Sequence, residues 1–188
     1  MLWFPLIKPS QRLIRCSFLT SLAFLPFNAF AEIAPDFSLP GDQSEIRLSA
    51  YQGDVVYVDF WASWCGPCRD SFPFMNELHD QYAEGGLKVI AINLDREISA
   101  AQAFIHDPES PGHDPRFTIA YNSGGEVAEA YNVRGMPSSY VIDRDGNIAY
   151  SHLGFNRKDR AEIEARIKYL LRSNNATGEP LIAAAEAE

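Results

Sequence analysis

Apolar positions along the chain fall into unbroken runs and spaced series, and these predict its elements. Residues 55–61 are almost continuously apolar, β-branched or aromatic, the pattern of a strand buried on both faces of a parallel or mixed sheet. In residues 70–84 the positions Phe72, Met75, Leu78 and Tyr82 recur at helical spacing, and Gly85-Gly86 supplies a stop. Residues 87–94 predict a second buried strand, and residues 99–106 a second helix with Ser99 as its N-cap. Together they form a βαβ unit.

Pro108, Pro111, Gly112 and Pro115 make residues 107–115 a loop. A short apolar piece at 117–121 and a short helix at 126–131 follow. Residues 139–143 and 147–152 predict antiparallel strands joined through Arg144-Asp145-Gly146, whose Asp-Gly is a hairpin signal. Residues 157–172 predict the last helix. Ala161, Ile163, Ile167, Leu170 and Leu171 would form its apolar face, with Glu162–Arg166 and Glu164–Lys168 as i,i+4 pairs elsewhere. Residues 174–188 are small, polar and acidic and predict a frayed tail, in which Asn175-Ala176-Thr177 is a chance sequon rather than a glycan site. No internal repeat is visible.

The beginning of the chain differs from the rest. Residues 1–31 carry Lys8, Arg12 and Arg15 and no acidic residue, then an apolar stretch at 16–27, then Asn28-Ala29-Phe30-Ala31. These are the parts of a secretory signal peptide with cleavage after Ala31. The stretch is shorter than the roughly 20 apolar residues a membrane-spanning helix needs, and Pro26 and Asn28 close it. An uncleaved anchor and an amphipathic helix are the alternatives. Cys16 follows Ile14-Arg15 rather than the small residues a lipidated cysteine needs. The expected division is a signal peptide at 1–31, one domain at 32–173 and a tail at 174–188, with a periplasmic destination.

Composition narrows the class. With 46% hydrophobic residues in 188, the chain can bury a real core, which excludes a disordered, collagenous or disulfide-dense mini-scaffold protein. A net charge of -9 argues against a nucleic-acid partner, since phosphate contacts need clustered Lys and Arg. Three cysteines is an odd count, but removal of residues 1–31 takes Cys16 away and leaves Cys65 and Cys68.

Those two lie in Trp61-Ala62-Ser63-Trp64-Cys65-Gly66-Pro67-Cys68, where the first buried strand passes into a helix. Cysteines at i and i+3 on a first helical turn are close enough to form a disulfide without backbone movement. Unpaired amide groups and the positive end of the helix dipole favour a thiolate at Cys65, which can attack a partner's disulfide. Cys68, one turn deeper, would resolve the mixed disulfide. A plain stapling disulfide is a poor alternative, because so short a loop removes little chain entropy. Half of a zinc site is another, but no second Cys pair exists and His79, His106, His113 and His152 are scattered, so no metal is expected. Asp59 stands inside the apolar strand. Buried there it would have a raised pKa and could take the proton of Cys68; the alternative is a strand-end carboxylate facing solvent.

The run Val58-Asp59-Phe60-Trp61-Ala62-Ser63-Trp64-Cys65-Gly66-Pro67-Cys68, with Pro73 beyond it, resembles the active-site strand and kinked helix of thioredoxins. Ala34-Pro35-Asp36-Phe37-Ser38-Leu39 before it, and Val133-Arg134-Gly135-Met136-Pro137-Ser138-Ser139 leading into Asp143-Arg144-Asp145-Gly146 after it, resemble the exported TlpA-like and cytochrome-maturation branch. The resemblance spans most of residues 33–172. It implies an α/β thioredoxin fold, a central mixed sheet flanked by helices, with an N-terminal hairpin extension and a central insertion near residues 93–121. It also implies that Pro137 is a cis-proline whose preceding backbone pairs with a substrate chain, and that Trp64, Gly66, Pro67 and Met136 frame the substrate. The branch often places a functional Glu in the insertion. Here Arg96 stands at that position between Asp95 and Glu97, so the acidic role falls to Asp59 alone, or to Asp95 or Glu97 after a one-residue shift.

The expected function is therefore a monomeric periplasmic thiol-disulfide oxidoreductase that mainly reduces disulfides of exported proteins, with apocytochrome c or copper-site proteins among the candidates. The Cys65–Cys68 disulfide would serve in place of a cofactor, and the resemblance implies a membrane-held electron donor. Two alternatives stand beside it. One is a metallochaperone or peptide-binding module whose dithiol holds Cu(I). The other is a peroxidase, since Ala34-Pro35-Asp36-Phe37 is shared with peroxiredoxin-like chains, although the Pro and Thr of a Pro-x-x-x-Thr-x-x-Cys loop are missing before Cys65.

Overall fold

The computed structural model describes residues 32–173. The expected signal peptide at 1–31 and the tail with its sequon lie outside the described residues. The element order is β1 (Glu32–Ile33), β2 (Ser38–Pro40), β3 (Glu45–Arg47), β4 (Val55–Trp61), α1 (Gly66–Tyr82), β5 (Leu87–Asn93), α2 (Ile98–His106), β6 (Thr118–Tyr121), α3 (Glu126–Ala130), β7 (Ser138–Ile142), β8 (Asn147–Leu153) and α4 (Arg157–Arg172).

Strands β1-β8-β7-β4-β5-β6 lie side by side in one mixed sheet. β4, β5 and β6 run parallel, whereas β7 is antiparallel to both β4 and β8. This is the thioredoxin fold. β4 sits in the middle and every one of its residues is buried, which explains its unbroken apolar run. Tyr57 and Trp61 face a cluster built with Phe72, Met75 and Leu78 of α1, Ala101 and Phe104 of α2, and Ile163 and Ile167 of α4. Val56, Val58 and Phe60 face the other side, where Phe37, Leu39 and Leu48 of the N-terminal arm and Tyr131 after α3 close the core. The arm contains the expected hairpin, β2 paired with β3. The central insertion holds α2, the Pro-rich loop and β6, which pairs in parallel with β5.

Four local expectations are corrected. α1 begins at Gly66 rather than residue 70, because Cys65 is the N-cap and its Sγ accepts the Cys68 N–H at 3.3 Å. Ser99 is not an N-cap: α2 starts one residue earlier, after Glu97, with no side-chain cap at all. Ala161 is exposed, so the α4 face buries Ile163 and Ile167 and half-buries Leu170 and Leu171. Along the flanks of α4, Glu164 and Lys168 pair at 2.8 Å beside Tyr82 of α1, but Arg166 lies over the Tyr150 ring at 5.6 Å, and no Glu162–Arg166 pair forms among the described residues. The hairpin between β7 and β8 turns as expected at Gly146, whose φ of 87° suits a residue without a Cβ. There the Asp143 carboxylate accepts the Asp145 and Asn147 N–H groups at 3.0 and 2.8 Å.

Candidate redox site

The site forms where β4 ends and α1 begins. The Cys65 N–H donates to Ala62 O at 3.1 Å, so the chain makes one tight turn between strand and helix. Gly66 and Pro67 then open α1 with the fixed φ of proline placed in its first turn. The two cysteines are joined in a disulfide, S–S 1.98 Å, with their Cα atoms 5.3 Å apart.

They are not equivalent. Cys65 keeps 6% of its surface exposed and is flanked by exposed Gly66, Pro67 and Trp64, the last 71% exposed. Cys68 is at 0% and lies against Trp61, Phe72 and Met75 in the core. An incoming disulfide can therefore reach only Cys65. The amide that donates to the Cys65 sulfur, together with the α1 dipole, favours a negative charge at that atom.

Asp59 lies on the same face of β4, beneath α1, and is 1% exposed. The solvent-facing alternative is thereby removed. Burial pushes its pKa up from 3.8 to about 8, against the smaller opposing pull of the Ser71 and Tyr57 hydroxyls. Ser71 was missed in the sequence. Its hydroxyl lies 3.3 Å from Asp59 Oδ2 and 2.8 Å from the Cys68 carbonyl, and its one proton can serve only one of them. When Asp59 is neutral it can donate to Ser71, which then donates to Cys68 O, and every group is satisfied. The signal for Ser71 was its spacing, three residues beyond Cys68 on the buried side of a helix. The Tyr57 hydroxyl is fully buried and makes no hydrogen bond of normal geometry among the described residues. Burial first, and then the Asp59 charge, raise its pKa well above 10, so it stays neutral.

Pro137 arrives from the other side. The Met136–Pro137 bond is cis, and the pairing of Phe60 with Ser138 puts Pro137 level with Trp61 at the same end of the sheet as the cysteines. The Pro137 carbonyl accepts the Gly154 N–H at 2.8 Å, and half-buried Met136 packs on the cluster that contains both cysteines. Thus Cys65, Cys68, Asp59, Trp64, Gly66, Pro67, Met136 and Pro137 all gather at one end of β4 and β7. Of the two insertion residues weighed for the acidic role, Glu97 is exposed, like Arg96 beside it, whereas Asp95 is buried. Among the described residues no group of three or more His, Cys, Asp or Glu side chains is arranged to hold a metal ion.

Comparison with known proteins shows the family. Residues 31–167 match the redoxin family. A thiol-disulfide oxidoreductase ResA of Bacillus thuringiensis is 33% identical over 130 residues, spanning 69% of this chain and 72% of the relative. The ResA of Oceanobacillus iheyensis is 34% identical over 136 residues, spanning 70% and 68%. Among solved structures, a Chlorobium tepidum protein named as the thiol:disulfide interchange protein DsbE aligns with a TM-score of 0.70 at 42% identity, covering 75% of this chain and 96% of that one. The exposed lipoprotein thioredoxin Etrx1 of Streptococcus pneumoniae aligns with a TM-score of 0.60 at 29% identity, covering 72% and 100%.

Proposed function

The chain belongs to the redoxin family and is a thiol-disulfide oxidoreductase, and from that premise we propose that it acts outside the cytoplasm as a reductase of disulfides in exported proteins. The observation that carries this reading is the inequality of the two cysteines, one reachable at a helix N-terminus and one sealed above a carboxyl group whose pKa is about 8.

In the reduced protein the Cys65 thiolate attacks one sulfur of the substrate disulfide. A mixed disulfide forms and the other substrate sulfur leaves as a thiolate. Asp59, as carboxylate, takes the proton of Cys68. The Cys68 thiolate then attacks Cys65 Sγ, closing the Cys65–Cys68 disulfide and releasing the second substrate thiolate. Two electrons pass from the dithiol to the substrate, and the Asp59 proton returns to the medium. An aspartate near pKa 8 suits this task at neutral pH, because it can both accept and give up a proton there.

The backbone ahead of Pro137, with Trp64, Gly66, Pro67 and Met136, would receive the substrate as an extended chain beside Cys65. The basic, apolar and Ala-x-Ala parts of residues 1–31 support export. Among the described residues no helix is long and apolar enough to cross a membrane. A membrane-held dithiol donor would restore the reduced state, and exported apocytochrome c and copper-site proteins, whose cysteines must be free before they bind, are suitable substrates. No separate cofactor enters the scheme.

The test is trapping. Reduced Cys68→Ser protein should hold a disulfide substrate covalently through Cys65, visible on a non-reducing gel and absent in Cys65→Ser. Equilibration of the unaltered protein with glutathione should give a potential near thioredoxin's, about -270 mV. A value near that of an exported disulfide-forming oxidase, about -120 mV, would reverse the proposed direction.

A further inference from the structure

The turn that carries Cys65 is gripped from inside the molecule by a second buried carboxylate. Asp95, 4% exposed, stands just beyond β5. Its Oδ2 accepts the Ser63 N–H at 2.9 Å and the Asn93 side-chain amide at 2.8 Å, and its Oδ1 accepts the Ser63 hydroxyl at 3.1 Å. Asn93, fully buried, accepts the Asp95 N–H in return at 3.0 Å, and the Leu94 N–H donates to Trp61 O at 2.8 Å. The loop after β4 and the loop after β5 are thus tied together two residues before Cys65.

Among the described residues the outer side of this turn has no comparable hold, and Trp64 at its corner is 71% exposed. In the oxidised protein the disulfide itself fixes Cys65. Once the disulfide is reduced that covalent tie is gone, and Cys65 is held by its backbone bonds to Ala62 and Arg69 and by the Cys68 N–H on its sulfur, on a turn whose side-chain grip comes from Asp95 through Ser63. Arg96 and Glu97 are exposed and make no such contact.

We propose that Asp95 is a positioning residue for disulfide exchange: by clamping Ser63 it holds the reduced Cys65 at closing distance from Cys68 and aimed at the incoming disulfide. This rests on the reading of Cys65 and Cys68 as the exchanging pair. Asp95 touches neither sulfur and moves no proton in the scheme. Its effect is geometric, because a misplacement of about 1 Å at a reacting atom costs on the order of 10²-fold in rate.

Two substitutions separate geometry from charge. In Asp95→Asn the amide oxygen can accept the two donors that Oδ2 accepts now, and the amide nitrogen can donate to the Ser63 hydroxyl oxygen, so the clamp survives without its charge. In Asp95→Ala it is lost. The readouts are the equilibrium of the Cys65–Cys68 pair with glutathione and the split between kcat and KM in insulin reduction, on full-length protein with its fold checked by circular dichroism. Asp95→Ala should lower the equilibrium constant for closing the disulfide about tenfold and kcat about 10²-fold, with KM little changed, and Asp95→Asn should recover both to within about threefold. A folded Asp95→Ala with the unaltered protein's equilibrium and kcat overturns the proposal, as does an Asp95→Asn as impaired as the alanine variant. If Asp95→Ala does not fold, Ser63→Ala decides. It removes one bond of the clamp and should lower kcat about threefold, and an unchanged kcat overturns the proposal. Failure of the unaltered protein to equilibrate with glutathione would instead count against the exchanging pair itself.

Discussion

Two buried aspartates flank the cysteines, and they are provided for in opposite ways. Asp59, on the floor of the site, has only hydroxyls beside it, that of Ser71 at 3.3 Å, which is shared with a carbonyl, and that of buried Tyr57. Asp95, at the collar, receives a backbone N–H, a hydroxyl and an amide. Short of donors, Asp59 is held neutral up to about pH 8 and suits proton transfer. Supplied with three, Asp95 acts as an anchor for the chain around it. Burial is nearly the same in both. The donors aimed at each carboxyl separate a group suited to moving a proton from one suited to tying chain segments together.

The comparison makes predictions about stability, the largest at Asp59. Its folded pKa of about 8 lies above the value of about 3.9 expected in the unfolded chain. Between those pH values the folded protein holds a proton that the unfolded chain releases. The stability associated with Asp59 is therefore fully present below about pH 4, and it is lost as pH rises toward 8, by an amount on the order of 5 kcal/mol. Urea unfolding of the oxidised protein at pH 5, 6.5 and 8.5 should show this fall, and Asp59→Asn should flatten it. An equal slope in the variant would erase the contrast between the two aspartates.

A smaller effect is expected at Asp95. Its replacement by Ala leaves the Ser63 N–H and the Asn93 amide without their acceptor and should cost about 3 kcal/mol at pH 7 in the same unfolding experiment. Asp95→Asn should cost less than about 1 kcal/mol. A loss as large in Asn as in Ala would mean that the charge, not the bonding pattern, holds the collar. The smallest effect belongs to Ser71→Ala, which takes away a hydroxyl that stabilises the ionised form of Asp59. It should push the fall in stability further up in pH, by an amount on the order of 1 kcal/mol. A shift downward in pH would contradict the arrangement around Asp59.

Much of this was legible before the fold was known. The uninterrupted run of β4 and the spacing of Ile163 and Ile167 in α4 are strong signals because both elements bury whole faces. Asp59 was legible for the opposite reason, as a lone charge in a strand with no room for one. The start of α1 was legible only through the cysteine motif, whose place on a first helical turn agrees with Cys65 as N-cap, whereas the apolar series points no earlier than residue 70. Tyr57 carries no distinctive signal, and Ser71 only its spacing from Cys68, since Ser and Tyr on a helix or strand serve equally well outside or inside. Between Asp95 and Glu97 the choice depended on which way the backbone turns after β5, a property that a run of adjacent polar residues does not encode. Only Asp95 turns inward, toward Ser63.

The central claim is that Asp59 moves the proton that lets Cys68 finish the reaction. It is tested most directly by forming a mixed disulfide between Cys65 and a coloured aromatic thiol and following release of that thiol by stopped flow from pH 5 to 10. The account predicts that the unaltered protein shows a rate inflection near pH 8 and that Asp59→Asn loses this inflection and releases the thiol about 10²-fold more slowly at pH 7. An inflection that persists unchanged in Asp59→Asn, at an unchanged rate, would contradict it.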